Sequence, residues 1–185
     1  MKTLTTPLLP VLIVMMSGAP LLLAAQAKPA ADPIFVLETV KGIVEIRLFQ
    51  GDAPKSVAHL LALIRRSYYR GQRIHRVTAS LVQFGDVQSR DMTKKDYWGS
   101  GGSGTPINAF ELVKKYTHRR GMVGLAHSGN PMAADSQLYI MKQPSSGLDG
   151  KHAIVGQVTT GLGVVDTLAV GDMIRLAFVK GEGQK

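Results

Sequence analysis

The sequence predicts a mainly-β domain, either a closed antiparallel barrel or a sandwich, that carries two short helices. Short β-prone runs recur along the chain, and Gly, Asn, Pro and Ser gather between them. Apolar residues keep helical spacing in two places only, at Val57, Leu60, Leu61 and Ile64 and again at Val164, Val165 and Leu168. Short strands joined by tight loops, with so little helix, bury their apolar faces best in a barrel or a sandwich. None of the 185 residues is cysteine, so packing rather than disulfides must hold the domain.

At the N-terminus, Lys2 precedes an apolar stretch from Leu8 to Ala25, and Ala25-Gln26-Ala27 places small residues where a signal peptidase reads them. Residues 1–27 are therefore expected to be a cleaved signal peptide. Pro10, Gly18 and Pro20 interrupt the stretch and keep it short of the roughly 20 clean apolar residues of a spanning helix, so no stable membrane insertion is expected after cleavage. Removing 27 of 185 residues leaves 158, enough for one domain with a proper core. Residues 28–33 read as a short Ala/Pro linker and residues 34–185 as the domain. An exported chain without cysteine has no lipoprotein anchor and fits the periplasm of a Gram-negative bacterium.

Ile34–Thr39 and Ile43–Phe49 flank Val40-Lys41-Gly42 as a hairpin. Val44, Ile46 and Leu48 alternate with Glu45 and Arg47, the period of a strand with one buried face. Asp52-Ala53-Pro54 supplies a capping residue and a first-turn proline for a helix from Pro54 to Arg66. A turn at Tyr69-Arg70-Gly71 leads to a strand near Arg73–Val77 and another at Leu81–Phe84. The polar, glycine-rich segment from Asp86 to Pro106 is long for a compact domain and is expected to border a site. Met122–Ala126, Gln137–Met141, Ala153–Val158 and Met173–Val179 read as further strands, with the second short helix before the last of them.

The formal charge of +9 loses one unit with Lys2, leaving +8 on the mature chain. Its basic residues come in pairs (Arg65-Arg66, Lys94-Lys95, Lys114-Lys115, Arg119-Arg120) without interleaved aromatics, which fits a solvated surface and not a nucleic-acid groove. Gly99-Ser100-Gly101-Gly102-Ser103-Gly104 lacks the Lys-Ser/Thr pair of a phosphate loop, so a flexible or tightly turned loop is expected. His59, His75, His118, His127 and His152 show no metal-ligand spacing, and no metal site is expected. Ser136, Asp149 and His152 lack the elbow that frames a hydrolytic serine. Arg76 is more distinctive, because an arginine inside a strand points either to solvent or into a cavity where its guanidinium has work.

Taken in order, Ile43-Val44-Glu45-Ile46-Arg47-Leu48, Ala53-Pro54-Lys55-Ser56-Val57, Tyr68-Tyr69-Arg70-Gly71, Ile74-His75-Arg76-Val77, Gln83-Phe84-Gly85-Asp86, Ser136-Gln137-Leu138-Tyr139-Ile140 and Leu148-Asp149-Gly150-Lys151-His152 resemble the successive signature blocks of cyclophilins. The resemblance runs along nearly all of the chain after the linker. It implies a closed eight-stranded antiparallel β-barrel capped by two α-helices. It also implies peptidyl-prolyl cis/trans isomerase activity on X-Pro-containing polypeptides, with no cofactor. The alternative is a proline-peptide-binding chaperone or interaction module with weak or no turnover.

By the same resemblance Arg76 is the catalytic donor and Gln83 holds it. Leu81, Tyr139 and Leu148 line a recess for the proline ring, with His152 at its edge, while Ala126, His127 and Gln137 meet the peptide backbone. This chain departs from the family at several positions. His127 stands where asparagine is usual, and the stretch from Arg76 to Gln83 is one residue shorter than in most relatives. Alternation puts Leu81 on the face of Gln83, leaving Ser80 where a pocket phenylalanine is common, so the pocket is expected to be shallower. Gly147 replaces a tryptophan that contacts cyclosporin in many cyclophilins, so weak cyclosporin binding is expected.

Overall fold

The computed structural model describes residues 31–182. The expected signal peptide 1–27 and the first residues of the linker lie outside the described residues.

The chain opens with a hairpin, β1 (Ile34–Thr39) and β2 (Gly42–Leu48), paired antiparallel from Ile34 opposite Arg47 to Thr39 opposite Gly42. Thr39 tightens the turn: its Oγ1 donates to the Gly42 carbonyl at 2.8 Å and accepts from the Lys41 N–H. Helix α1 (Pro54–Arg65) follows, with proline in the first turn. It buries Val57, Leu60, Leu61, Leu63 and Ile64. Its cap differs from the expectation. Ala53 is the N-cap, and Asp52 instead receives Lys115 Nζ at 2.8 Å and the Tyr116 hydroxyl at 2.6 Å. The free donors of the first turn, Lys55 N and Ser56 N, go to the carboxylate of Glu111 at 3.0 and 2.8 Å.

Strand β3 (Arg76–Val77) is shorter than the sequence predicts, because Arg73 leaves the ladder: its N–H donates to Ser89 Oγ and its Nη1 to the Gly171 carbonyl. Strand β4 (Leu81–Phe84) returns with Arg76 opposite Gln83 and Val77 opposite Val82. The turn between them is Thr78-Ala79-Ser80, where Thr78 N donates to the Leu81 carbonyl at 2.9 Å and Thr78 Oγ1 accepts from Ser80 N and Leu81 N. Strands β5 (Met122–Leu125), β6 (Leu138–Met141) and β7 (Ile154–Thr160), helix α2 (Leu162–Thr167) and strand β8 (Ile174–Val179) complete the chain.

The eight strands form one antiparallel sheet in the order β3-β4-β6-β5-β7-β2-β1-β8. The expected closed barrel needs a correction: the sheet is a strongly curled half-barrel whose ladder stops at β3 and β8. A seam joins these edges through one bridge, Arg73 to Met173, and through backbone bonds that include Gly71 N to Ile174 O and Ile174 N to Gln72 O, both 2.8 Å. With only two residues in β3, no longer ladder is available there.

Strand alternation sorts the apolar residues into two clusters. Val82, Phe84, Leu138 and Ile140 join Phe35, Tyr69 and the buried face of α1 in the main core. Leu81, Tyr139 and Met141 point to the opposite face, where they pack with Phe49, Met122 and Ile154. The second face carries the site. Among the described residues no helix is long and apolar enough to cross a membrane.

Candidate active site

One row of residues crosses the sheet on this second face: Arg76 on β3, Gln83 on β4, Tyr139 on β6 and Gly124 on β5 stand opposite one another in register. Directly opposed residues have their Cβ atoms about 4.5–5.5 Å apart, so register alone brings the first three together. Gly124 ends the row for a steric reason, since a Cβ there would run into the Tyr139 phenol.

Hydrogen bonds continue the row away from the barrel. Arg76 Nη1 donates to Gln83 Oε1 at 3.2 Å, and Gln83 Nε2 donates to Gln137 Oε1 at 2.8 Å. Gln137 Nε2 then donates to the carbonyls of Gly99 and Gly101 at 2.9 and 2.6 Å. Both amides thus use both ends, and their orientations are fixed. Gln83 is 9% exposed, whereas Arg76 is exposed and spends one of its five N–H donors on Gln83.

The glycine loop is tightly turned around two carboxylates. Asp86 accepts from Gly99 N at 2.5 Å and Gly101 N at 3.2 Å, and Asp135 accepts from Ser103 N, Ser103 Oγ and Gly104 N. A Cβ at Gly101 or Gly102 would collide with the Asp86 or Asp135 carboxylate, which is why this run is glycine. Asp135 also meets His59 Nε2 of α1 at 3.0 Å. Burial alone would raise the Asp135 carboxyl, but the bonds from His59 and Ser103 outweigh it and hold the group below its ordinary value. The rest of the Asp86–Pro106 segment contains two 3₁₀ turns, Val87–Arg90 and Met92–Tyr97.

At the other end the surface turns apolar. Leu81 and Tyr139 are buried, Leu148 packs against them, and the His152 ring stands edge-on to Tyr139. The His127 and His152 rings stack with centroids 4.1 Å apart, His127 Nε2 reaching the Lys151 carbonyl and His152 Nδ1 the Leu125 carbonyl. Burial pushes His152 below the usual imidazole range, against the pull of the Leu125 carbonyl. His75, beneath Gly99, is lowered by burial as well. Tyr139 is held far above the ordinary phenol range, first by burial and then by the Asp149 charge.

The Arg76–Gln83–Gln137 row, the glycine loop and the apolar end line one groove of about 890 Å³. All nine residues expected from the sequence reach it: Arg76, Leu81, Gln83, Ala126, His127, Gln137, Tyr139, Leu148 and His152. Ser80, expected at the pocket phenylalanine's place, lies in the β3–β4 turn and is not among the lining residues. Sequence reasoning missed Asp135 and Ala133, which line the far end beside Gly99–Gly104 and Pro106. The glycine run signalled the loop, but nothing in Ala134-Asp135-Ser136 marks that aspartate as its anchor. Among the described residues no three His, Asp or Glu side chains gather as a metal site requires.

Residues 34–180 match the family model described as cyclophilin type peptidyl-prolyl cis-trans isomerase/CLD. The chain belongs to this family. A probable peptidyl-prolyl cis-trans isomerase of Brucella suis is 36% identical to this cyclophilin over 163 residues, covering 85% of this chain and 83% of the relative. A peptidyl-prolyl cis-trans isomerase of Helicobacter pylori is 31% identical over 140 residues, covering 75% and 81%. The fold is similar to that of a Cryptosporidium parvum cyclophilin (TM-score 0.70, 22% identity, 82% of this chain and 99% of that one). It is also similar to a Hirschia baltica cyclophilin (TM-score 0.63, 22% identity, 79% and 73%). The expected enzyme class, a peptidyl-prolyl isomerase, therefore stands, and so does the mainly-β cyclophilin fold with the half-barrel correction.

Proposed function

We propose that the groove takes an X-Pro segment with the proline ring between Leu81, Tyr139, Leu148 and His152, and that Arg76 stabilises the twisted imide. Rotation about a peptide bond meets a barrier of about 18–20 kcal/mol, and uncatalysed X-Pro exchange takes roughly tens to hundreds of seconds. In the twisted state amide resonance is lost and the proline nitrogen becomes pyramidal, with a lone pair that accepts a hydrogen bond. A donor aimed at that nitrogen binds the transition state better than either planar isomer, so no covalent step is required. Ala126, His127 and Gln137 meet the peptide backbone beside it.

The observation that carries this reading is the pinned guanidinium. Gln83 fixes one N–H of Arg76, and Gln137 fixes Gln83, so the remaining donors have a set direction over the groove. A permanently charged fork on a two-glutamine brace costs little reorganisation when the bond twists. Arg76→Ala is expected to lower kcat/KM by about 10²–10³-fold, the usual effect of removing one transition-state donor. The measurement is NMR exchange of short X-Pro peptides. Equal activity of the two proteins would remove Arg76 from the mechanism, and no acceleration by the wild type would leave a peptide-binding module.

The setting we propose for this activity is the folding of exported proteins in the periplasm. Its support is the sequence of residues 1–27. Protein recovered from the periplasmic fraction should begin at Lys28, and an N-terminus at Met1 would overturn the reading.

A further inference from the structure

His118 lies outside the groove, just before β5, and is 2% exposed. Each of its polar atoms is nevertheless engaged. Its backbone N–H donates to Asp149 Oδ1 at 2.7 Å, its ring Nδ1 meets the same oxygen at 2.7 Å, and its carbonyl accepts from Ser145 N at 2.9 Å. Its Nε2 stands 2.7 Å from the Tyr139 hydroxyl, with the two rings stacked. The directions of these bonds follow from the groups. A carboxylate only accepts, so Nδ1 carries a proton, and in the Nδ1–H tautomer Nε2 is a lone pair to which the Tyr139 hydroxyl donates. The bonds from His118 also hold the Asp149 carboxyl below its ordinary value, which keeps it an acceptor.

Two consequences meet at the groove. In that tautomer the Tyr139 hydroxyl donates to His118, so the phenol offers its ring, and no unpaired hydroxyl proton, to an apolar occupant. The 3₁₀ turn Ser146–Leu148, which carries Leu148, is held on both sides by the same residue, through Ser145 and Asp149. One buried residue thereby meets both a floor and a wall: its backbone holds Ser145 and shares Asp149 with the ring Nδ1, and its ring Nε2 holds Tyr139. We propose that His118, acting through Tyr139 and Asp149, is a positioning residue for X-Pro isomerisation that fixes the spacing between the Tyr139 floor and the Leu148 wall of the proline recess. This rests on the reading of that recess given above.

A recess that grips the proline ring in planar and twisted states alike contributes uniform binding, whose loss raises KM and leaves kcat. His118→Leu is therefore expected to raise KM for a short Ala-Pro peptide about tenfold, the order of one misfitted apolar contact in a pocket, with kcat within about twofold. His118→Leu/Tyr139→Phe, which removes the stranded hydroxyl, should recover part of that KM. A purely structural role would lower the urea midpoint of His118→Leu while KM of the folded enzyme stayed unchanged, and that result overturns the proposal.

The wild-type protein gives an independent reading should His118→Leu not fold. Long-range ¹⁵N–¹H correlation should show His118 as the Nδ1–H tautomer, with an Nε2 signal that moves on titration with the Ala-Pro peptide. An Nε2–H tautomer, or signals unmoved at saturation, overturns the proposal. Arg76→Ala measured alongside separates the two levels. If it keeps full turnover, the site reading fails and this inference with it; if it is inactive while His118→Leu keeps its KM, this inference alone fails.

Discussion

Gln137 accepts from Gln83 through its carbonyl and donates to Gly99 and Gly101 through its amide, so one side chain couples the sheet to the glycine loop. Inverting either amide would face donor against donor, which makes the chain from Arg76 to Gly101 directional. The recess end is set by packing instead, and there a residue is conspicuous for what it lacks. Gly147 borders Leu148, and a Cβ built on it meets nothing within 4 Å. The resemblance to cyclophilins places a cyclosporin-contacting tryptophan at this position, so the natural glycine should bind the drug weakly. Gly147→Trp is expected to tighten cyclosporin binding by about 2–10-fold, the worth of one aromatic contact. Isothermal titration of both proteins checks it; equal affinities would show that the drug's contacts lie elsewhere on this enzyme.

At the scale of elements, local pattern was a good guide wherever it was set by alternation. Leu81 and Gln83 share a face, as do Tyr139 and Met141, and the groove falls where the sequence put those side chains. The register of β3 against β4 was not legible, because a shortened stretch can lose its residue in either strand or in the turn. It is settled by Thr78, whose hydroxyl organises a turn tight enough to keep Arg76 opposite Gln83. The helix cap was not legible either. Asp52 has the right chemistry next to Pro54, but a long-range partner took it, and Glu111 supplied the carboxylate from 55 positions along the chain. Asp135 escaped for the same reason, since its role exists only once α1, the glycine loop and β6 are brought together. Non-local carboxylates are what the one-dimensional pattern conceals here.

For the whole molecule, the balance of charge in the fold sets how stability answers to pH. His75 lies under Gly99 of the glycine loop and His152 at the apolar end of the groove, and burial is the largest cause that lowers each below the ordinary 6.5. The sign follows from which state holds the proton. Above that ordinary value neither state binds it and stability is at its full level. As pH falls through 6.5 toward the lowered native values, the unfolded chain takes up protons that the native chain resists, and stability is lost. Below the native values both states are protonated and the loss levels off. The lowered aspartates, Asp135 among them, act in the same direction but in a separate window beneath their ordinary 3.8. Urea midpoints should therefore decline between about pH 7.5 and 5 while the carboxylates are still ionised. The decline should be smaller in His152→Asn, which has one fewer imidazole to keep neutral. A midpoint flat across that range in the wild type, or an equal decline in His152→Asn, would show that these histidines take up protons as freely folded as unfolded, and that burial does not hold them neutral.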